Sequence, residues 1–261
     1  MNSLQLLMGA LSGGAVGFTL ALVGGGGSIL AVPLMVYLVG IEDPHVAIGT
    51  SALAVAANAL VGLVSHARKG NVKWRCAMTF AIAGSLGAGL GATAGKAMDG
   101  QRLLALFAIL MLVVAGLMFR SRGRGGDPDV VLGRDNAPKL LGSGAATGVL
   151  SGFFGIGGGF LVVPGLMAST GMPILFAVGS SLVAVTAFGL TTASSYALSG
   201  LVSWPLAAVF IAGGAAGSLS GARVATRLGS RNGALGTVLA GLITAVAIYM
   251  LYRTAGEPGW A

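Results

Sequence analysis

The chain has 261 residues, 55% of them hydrophobic and only 8% charged, with a formal net charge of +8 and a mean hydropathy of +0.91. A soluble domain carries about 25% charged residues, so these side chains cannot cover a water-exposed surface, and a soluble globular protein is excluded. The basic residues fall in short loops between apolar runs, which makes the positive charge a signal of membrane orientation and not of nucleic-acid binding.

The first apolar run, 4–23, has no Lys or Arg before it and no small-residue cleavage site after it, so it reads as a retained helix and not a signal peptide. "GGGGS" follows at 24–28, and then a short apolar segment at 28–40. Longer runs at 44–67, 74–97 and 102–119 complete a first set of five. A polar, glycine-rich stretch, "RSRGRGGDPDVVLGRDNAPK" (120–139), separates it from a second set near 138–154, 159–170, 174–199, 203–226 and 233–252. A straight crossing needs about 20 apolar residues, so the second member of each set is too short to span as a straight helix. No run shows the alternation of a membrane barrel.

The two sets are copies. "GGGGSILAVP" at 24–33 matches "GIGGGFLVVP" at 155–164 with a shift of 131. With the shift reduced to 130, Gly49 pairs with Gly179, Ser51 with Ser181, Gly70 with Gly200, Trp74 with Trp204, Phe80 with Phe210, Gly87 with Gly217 and Gly91 with Gly221. The chain therefore divides into a first repeat at 1–119, a linker at 120–139 and a second repeat at 140–261.

Loop charges set the orientation. Arg68, Lys69, Lys73 and Arg75 lie between the third and fourth segments of the first repeat, whereas "LSGLVSW" at 198–204 carries no charge. In the next loop the asymmetry reverses: Lys96 and Arg102 face Arg223, Arg227 and Arg231. Ten crossings put twelve basic residues on one side and three on the other, so the linker is cytoplasmic and both termini lie outside. Equivalent loops then fall on opposite faces. The expected fold is an all-α polytopic membrane protein of about ten segments in two inverted five-segment repeats with broken or short helices. Re-entrant short segments would instead make the repeats parallel, which the charge swap disfavours.

Inverted repeats with interrupted helices are transporter architecture, with substrate held near the midplane. Glycines let a helix break, and a helix starting at Ser28 or Gly159 would present unpaired N–H groups and a positive dipole end, an anion site without a basic side chain. The alternative is that these glycines only permit close packing. Neither copy has the lysine of a Walker loop or the spacing and βαβ setting of a dinucleotide motif.

"GTS" at 49–51 and "GSS" at 179–181 supply hydroxyls at the same place in each repeat. Ser51, Asn58 and Ser65 share a helix face, and Thr186, Thr191 and Thr192 add polar groups in the second repeat. Each hydroxyl could instead bond back to its own helix. Gly87, Gly91 and Gly95, like Gly213, Gly217 and Gly221, have the spacing of helix packing. No Asp or Glu lies mid-span; Glu42, Asp43 and Asp99 sit in loops, and His45 and His66 read as interfacial. Cys76, the single cysteine, excludes an internal disulfide and a cysteine metal cluster and reads as packing. No catalytic constellation, metal site or cofactor motif emerges, so an enzyme is not expected.

Two copies of G-x-G-G-[GS]-[FI]-L-x-V-P, each followed some fifteen residues later by G-[TS]-S, resemble the sulfite exporter TauE/SafE family over residues 8–252. The resemblance implies a multi-pass cytoplasmic-membrane transporter of small sulfur-containing anions such as sulfite, sulfonates and sulfoacetate. It places substrate on Gly26, Gly27 and Ser28, on Gly157, Gly158 and Gly159, and on the hydroxyls of Thr50, Ser51, Ser180 and Ser181. Asn58 joins them from the helix-face argument, and Thr186 from the polar groups of the second repeat. Gly25 and Ser28 depart from the usual apolar residue and third glycine, which leaves the substrate's identity open. The expected partners are that anion and the lipid bilayer, with room for a homo-oligomer. An inside-negative potential drives an anion outward with about 2.3 kcal/mol per charge per 100 mV, so efflux needs no coupling ion and uptake would need one.

Overall fold

The computed structural model describes residues 3–120, 127, 130–133, 136–155, 159–228, 241, 243–250 and 252. Among these there is no strand. The elements are α1 (Ser3–Val23), a 3-10 helix (Gly24–Leu30), the single turn α2 (Ala31–Pro33), a π-helical turn (Leu34–Leu38), α3 (Pro44–Arg68), α4 (Trp74–Lys96), α5 (Gly100–Arg120), α6 (Ala137–Phe154), α7 (Gly159–Thr170), α8 (Ile174–Leu198) and α9 (Trp204–Leu228). Residues 243–250 are also helical. Five of these runs are long and apolar enough to cross a bilayer: Ser3–Leu38, Pro44–Arg68, Trp74–Lys96, Ile174–Leu198 and Trp204–Val224.

Helix ends fall where the sequence signals stand. Asp43 caps α3 by accepting the His45 N–H at 2.8 Å, with Pro44 at the first helical position. The break after α1 differs from the expected short helix beginning at Ser28. The chain turns at Gly24, whose φ of +71° suits glycine. It then stays in 3-10 geometry through Leu30, and after Pro33 it widens, with the Val39 N–H reaching back five residues to Leu34 at 2.9 Å. Four glycines bring little helix propensity, and Pro33 has no N–H to give, so neither stretch is held to α geometry. The second copy turns the same way at Gly155, with φ +65°.

The molecule is built inside-out relative to a soluble bundle. Ile82, Leu86 and Leu90 form a row on α4 with exposures of 62%, 73% and 71%, while the glycines of the same helix face inward. Leu4, Leu7 and Leu11 on α1 and Ile109 and Val113 on α5 also point outward. Such apolar area is tolerated against lipid, not water.

Inside, backbones touch. α1 runs parallel to α9: a Cβ on Gly13 would strike the carbonyl of Phe210, one on Gly17 that of Gly214, one on Gly217 that of Gly14, and one on Gly221 that of Phe18. α4 and α6 repeat this arrangement with Gly144 on Phe80, Gly148 on Gly84, Gly87 on Ala145 and Gly91 on Val149. Without a hydrophobic force between helices in lipid, close backbone approach supplies the van der Waals attraction that holds them. α3 and α8 cross in opposite directions, since Gly62 lies against Leu182 while Gly189 lies against Ala52 and Ala56.

Candidate functional site

The two glycine breaks meet. A Cβ on Gly25 would strike the backbone of Gly159, and one on Gly159 the backbone of Gly25, so only glycine fits on either side. Gly24 to Ile29 are buried, as are Gly159 and Phe160. A helix start leaves its first N–H groups without partners in the helix, and one is met across the contact: the Gly25 N–H donates to Ser181 Oγ at 3.0 Å. Ser181 in turn donates to the Val178 carbonyl at 2.8 Å. Ser28 Oγ donates to the Gly25 carbonyl at 2.8 Å and stabilises the turn from within. Gly27 packs onto the backbone of Thr19 and Leu20, where no side chain would fit.

Thr50 and Ser180 form a second, outer pair. Each accepts a backbone N–H from the loop that leads into a fourth-segment helix of the other half: Ser203 N–H to Thr50 Oγ1 and Lys73 N–H to Ser180 Oγ, both at 2.9 Å. Both hydroxyls thus hold loops in register. Ser51 donates to Ile48 at 2.9 Å, and Thr186 to Leu182 at 2.8 Å within its own helix. Gly26 is buried within the 3-10 helix. Gly157 and Gly158 lie outside the described residues. Ser28 and Ser181 therefore lie at the meeting of the breaks, while Thr50 and Ser180 hold the loops of the opposite half and Ser51 bonds back to its own helix.

Asn58 stands apart. Its side chain is fully buried and lies flat on Gly214 of α9, and neither amide atom has a hydrogen-bond partner among the described residues. The matching position in the second repeat, Phe188, lies on Gly84 and stacks on Phe80 with centroids 6.2 Å apart.

His66 lies in the last turn of α3, near the segment end as expected. It is fully buried, and its Nε2 bonds the Ala21 carbonyl at 3.0 Å, because α1 ends beside the last turn of α3. His45 is part-exposed, with Nε2 at 3.1 Å from the Met98 carbonyl. Cys76 is free and buried, as packing requires. Ser218 was missed by sequence reasoning: its hydroxyl bonds the carbonyls of Gly17 at 3.1 Å and Asn58 at 3.4 Å. The signal was available in the repeat comparison, since Ser218 stands opposite Ala88.

Among the described residues the buried polar side chains are Ser, Thr, Asn and His, with no Asp, Glu, Lys or Arg. Burying an unpaired charge is costly, whereas hydroxyls and backbone amides can be satisfied locally and released. An apolar helical shell around glycine breaks and neutral donors defines a multi-pass membrane protein.

The comparisons name the kind of membrane protein. The chain matches the family Sulfite exporter TauE/SafE over residues 9–250 and belongs to it. It is 49% identical to a "Probable membrane transporter protein" of Xylella fastidiosa (strain Temecula1), across 97% of this chain and 98% of that protein. It is 31% identical to a "Probable membrane transporter protein" of Haemophilus influenzae, across 76% and 74%. It is 27% identical to "Probable membrane transporter protein YunE" of Bacillus subtilis, across 86% and 89%. No solved structure matches.

Proposed function

We propose that the protein carries a small sulfur-containing oxyanion, of the sulfite or sulfonate type, out of the cell by alternating access. The anion would sit where the two glycine breaks meet. The observation that carries this is the Gly25–Gly159 backbone contact with Ser181 on the Gly25 N–H. A bound oxyanion oxygen would take the place of the Ser181 hydroxyl on that N–H and draw Ser28 and Ser51 toward it. Gly26, Gly27, Gly157 and Gly158 would supply further backbone donors, and the hydroxyls of Thr50 and Ser180, with Thr186 along α8, would line the way to them. Neutral donors in a low-dielectric setting hold an anion without trapping it.

Two inverted repeats of five segments, at 1–119 and 140–261, provide the moving parts. Three directions support the inversion together. α1 is parallel to α9, α4 is parallel to α6, and α3 is antiparallel to α8. Parallel repeats would make α3 and α8 run the same way. Ten crossings in the cytoplasmic membrane, with the linker inside and both termini outside, follow from the loop charges. Cysteines placed at Arg68 and Arg223 are expected to label from the cytoplasmic side, and one at Arg102 from the outside; the reverse pattern refutes the orientation.

Full burial of the break favours a carrier over an anion channel. The deciding experiment is a melting-temperature panel on purified protein with sulfite, thiosulfate, sulfate, sulfoacetate, taurine and simple carboxylates. A sulfur oxyanion is expected to raise the midpoint, and Gly159→Ala to remove that rise. No response to any sulfur anion sinks the substrate class, and unitary current steps in a bilayer would replace the carrier with a channel.

A further inference from the structure

In a continuous α-helix the Ala21 carbonyl would accept the Gly25 N–H, four residues on. α1 ends at Val23, and that bond is severed. Its two halves are taken by side chains from different repeats. The Ala21 carbonyl lies 3.0 Å from His66 Nε2, and the Gly25 N–H donates to Ser181 Oγ at 3.0 Å. A carbonyl can only accept, so His66 donates from Nε2–H. His66 is fully buried, and its Nδ1 has no hydrogen-bond partner among the described residues, so the polar tie of this ring is to Ala21.

The second repeat is an internal comparison. Gly152 stands in the place of Ala21, and Tyr196 in that of His66. The Gly152 carbonyl accepts the Gly155 N–H at 3.1 Å, within its own helix end. Tyr196 is fully buried, and its hydroxyl has no partner among the described residues. A third-segment side chain thus bonds the helix end at the first break and leaves the second alone. Gly24, at φ +71°, is the residue that would turn for α1 to run on, and glycine reaches left- and right-handed backbone alike.

We propose that His66 is a positioning residue of the anion site: by occupying the Ala21 carbonyl it stops α1 from closing over the break and keeps the Gly25 N–H available. That N–H is the donor a bound oxyanion takes over from Ser181, so this part rests on reading the breaks as the anion site. Without His66 the buried Ala21 carbonyl is left short of a partner, which is costly. The N–H that helix geometry offers it is that of Gly25. Closure withdraws the donor and weakens anion binding, although His66 never touches the anion.

The test joins a mutant cycle to an anion titration, both read by thermal unfolding of the full purified chain. His66→Phe and Ser181→Ala each orphan one end of the severed bond, and each is expected to lower the midpoint by about 3–6 °C. Together they leave a carbonyl and an N–H free to bond each other. The double variant is therefore expected to melt no more than about 2 °C below the less stable single variant. Losses that add in full overturn the inference, and this cycle needs no anion. His66→Met replaces His66→Phe if the ring prevents folding. In sulfite titrations His66→Phe is expected to raise the concentration at half-effect about tenfold, as for a break open a tenth of the time. His66→Gln keeps a side-chain N–H donor and is expected to stay within about threefold of the unaltered protein. Tyr196→Phe, the matching change in the second repeat, is expected to leave the half-effect where it was. An unchanged half-effect in His66→Phe overturns the positioning role, as does a loss in His66→Gln equal to that in His66→Phe. If no sulfur anion moves the midpoint of the unaltered protein, the substrate class falls and the cycle alone decides on His66.

Discussion

The α1–α9 and α4–α6 pairings are built from the same parts, down to Gly13 on Phe210 answered by Gly144 on Phe80, and Gly17 on Gly214 answered by Gly148 on Gly84. The side chains laid across those two crossings differ. Asn58 covers Gly214 with an amide that has no hydrogen-bond partner among the described residues, whereas Phe188 covers Gly84 with a ring stacked on Phe80. The backbone contacts, which tolerate almost nothing, match between the two pairings, while the layer above them differs. Chemistry specific to one half is therefore expected in that layer, while the glycine zippers serve architecture.

The severest way to break the likeness is to put a side chain into the zippers. Gly17→Val and Gly148→Val should each cost at least about 3 kcal/mol and reduce the yield of monodisperse protein equally, because each drives a β-branched group into a facing carbonyl. Unequal losses, read by size exclusion in detergent and by melting, would show that the two pairings are not equivalent.

Phe188→Asn tests the divergence directly. It removes the stack on Phe80 and buries an amide with no partner, and it should cost about 3 kcal/mol by melting. A neutral result would mean that polar groups are accommodated equally in both halves.

A smaller and symmetric effect is expected where hydroxyls cross between halves. Thr50→Val and Ser180→Ala each orphan a backbone N–H, that of Ser203 or Lys73, and should cost about 1–2 kcal/mol apiece. Loss of anion-induced stabilisation at unchanged basal melting would instead assign these hydroxyls directly to substrate. The least effect should come from the lysines at helix ends. Lys96 donates to the Ser195 carbonyl at 3.0 Å and to Ser199 Oγ at 2.9 Å, near the end of α8. Lys96→Met should lower stability by under about 1 kcal/mol, since partly exposed pairs are weak.

Much of this was legible in the residues. The bounds expected at 44–67, 74–97, 138–154, 159–170 and 174–199 lie within a residue or two of α3, α4, α6, α7 and α8, because apolar runs bounded by Gly, Pro and charge leave a membrane helix few other ends. The repeat also announced the glycine breaks and the neutral hydroxyls beside them.

Other features depended on neighbours from the far half. Ser181 and Thr50 read alike as hydroxyls, yet one meets the Gly25 N–H and the other the loop at Ser203, and spacing along a helix cannot tell them apart. His66 stands near a segment end, and its bond to the Ala21 carbonyl could not be read from that position because it depends on α1 stopping beside it.

The sequence by itself determined that this chain lives in a membrane, that it carries two matching glycine motifs, and that it resembles the sulfite exporter TauE/SafE family. Those properties rest on composition, period and a short motif, each of which is local. Only the tertiary structure decided which glycine faces which carbonyl, that Gly25 and Gly159 touch, and that Asn58 lies over Gly214. Backbone contacts between segments more than a hundred residues apart are set by how helices cross, and no single segment carries that information.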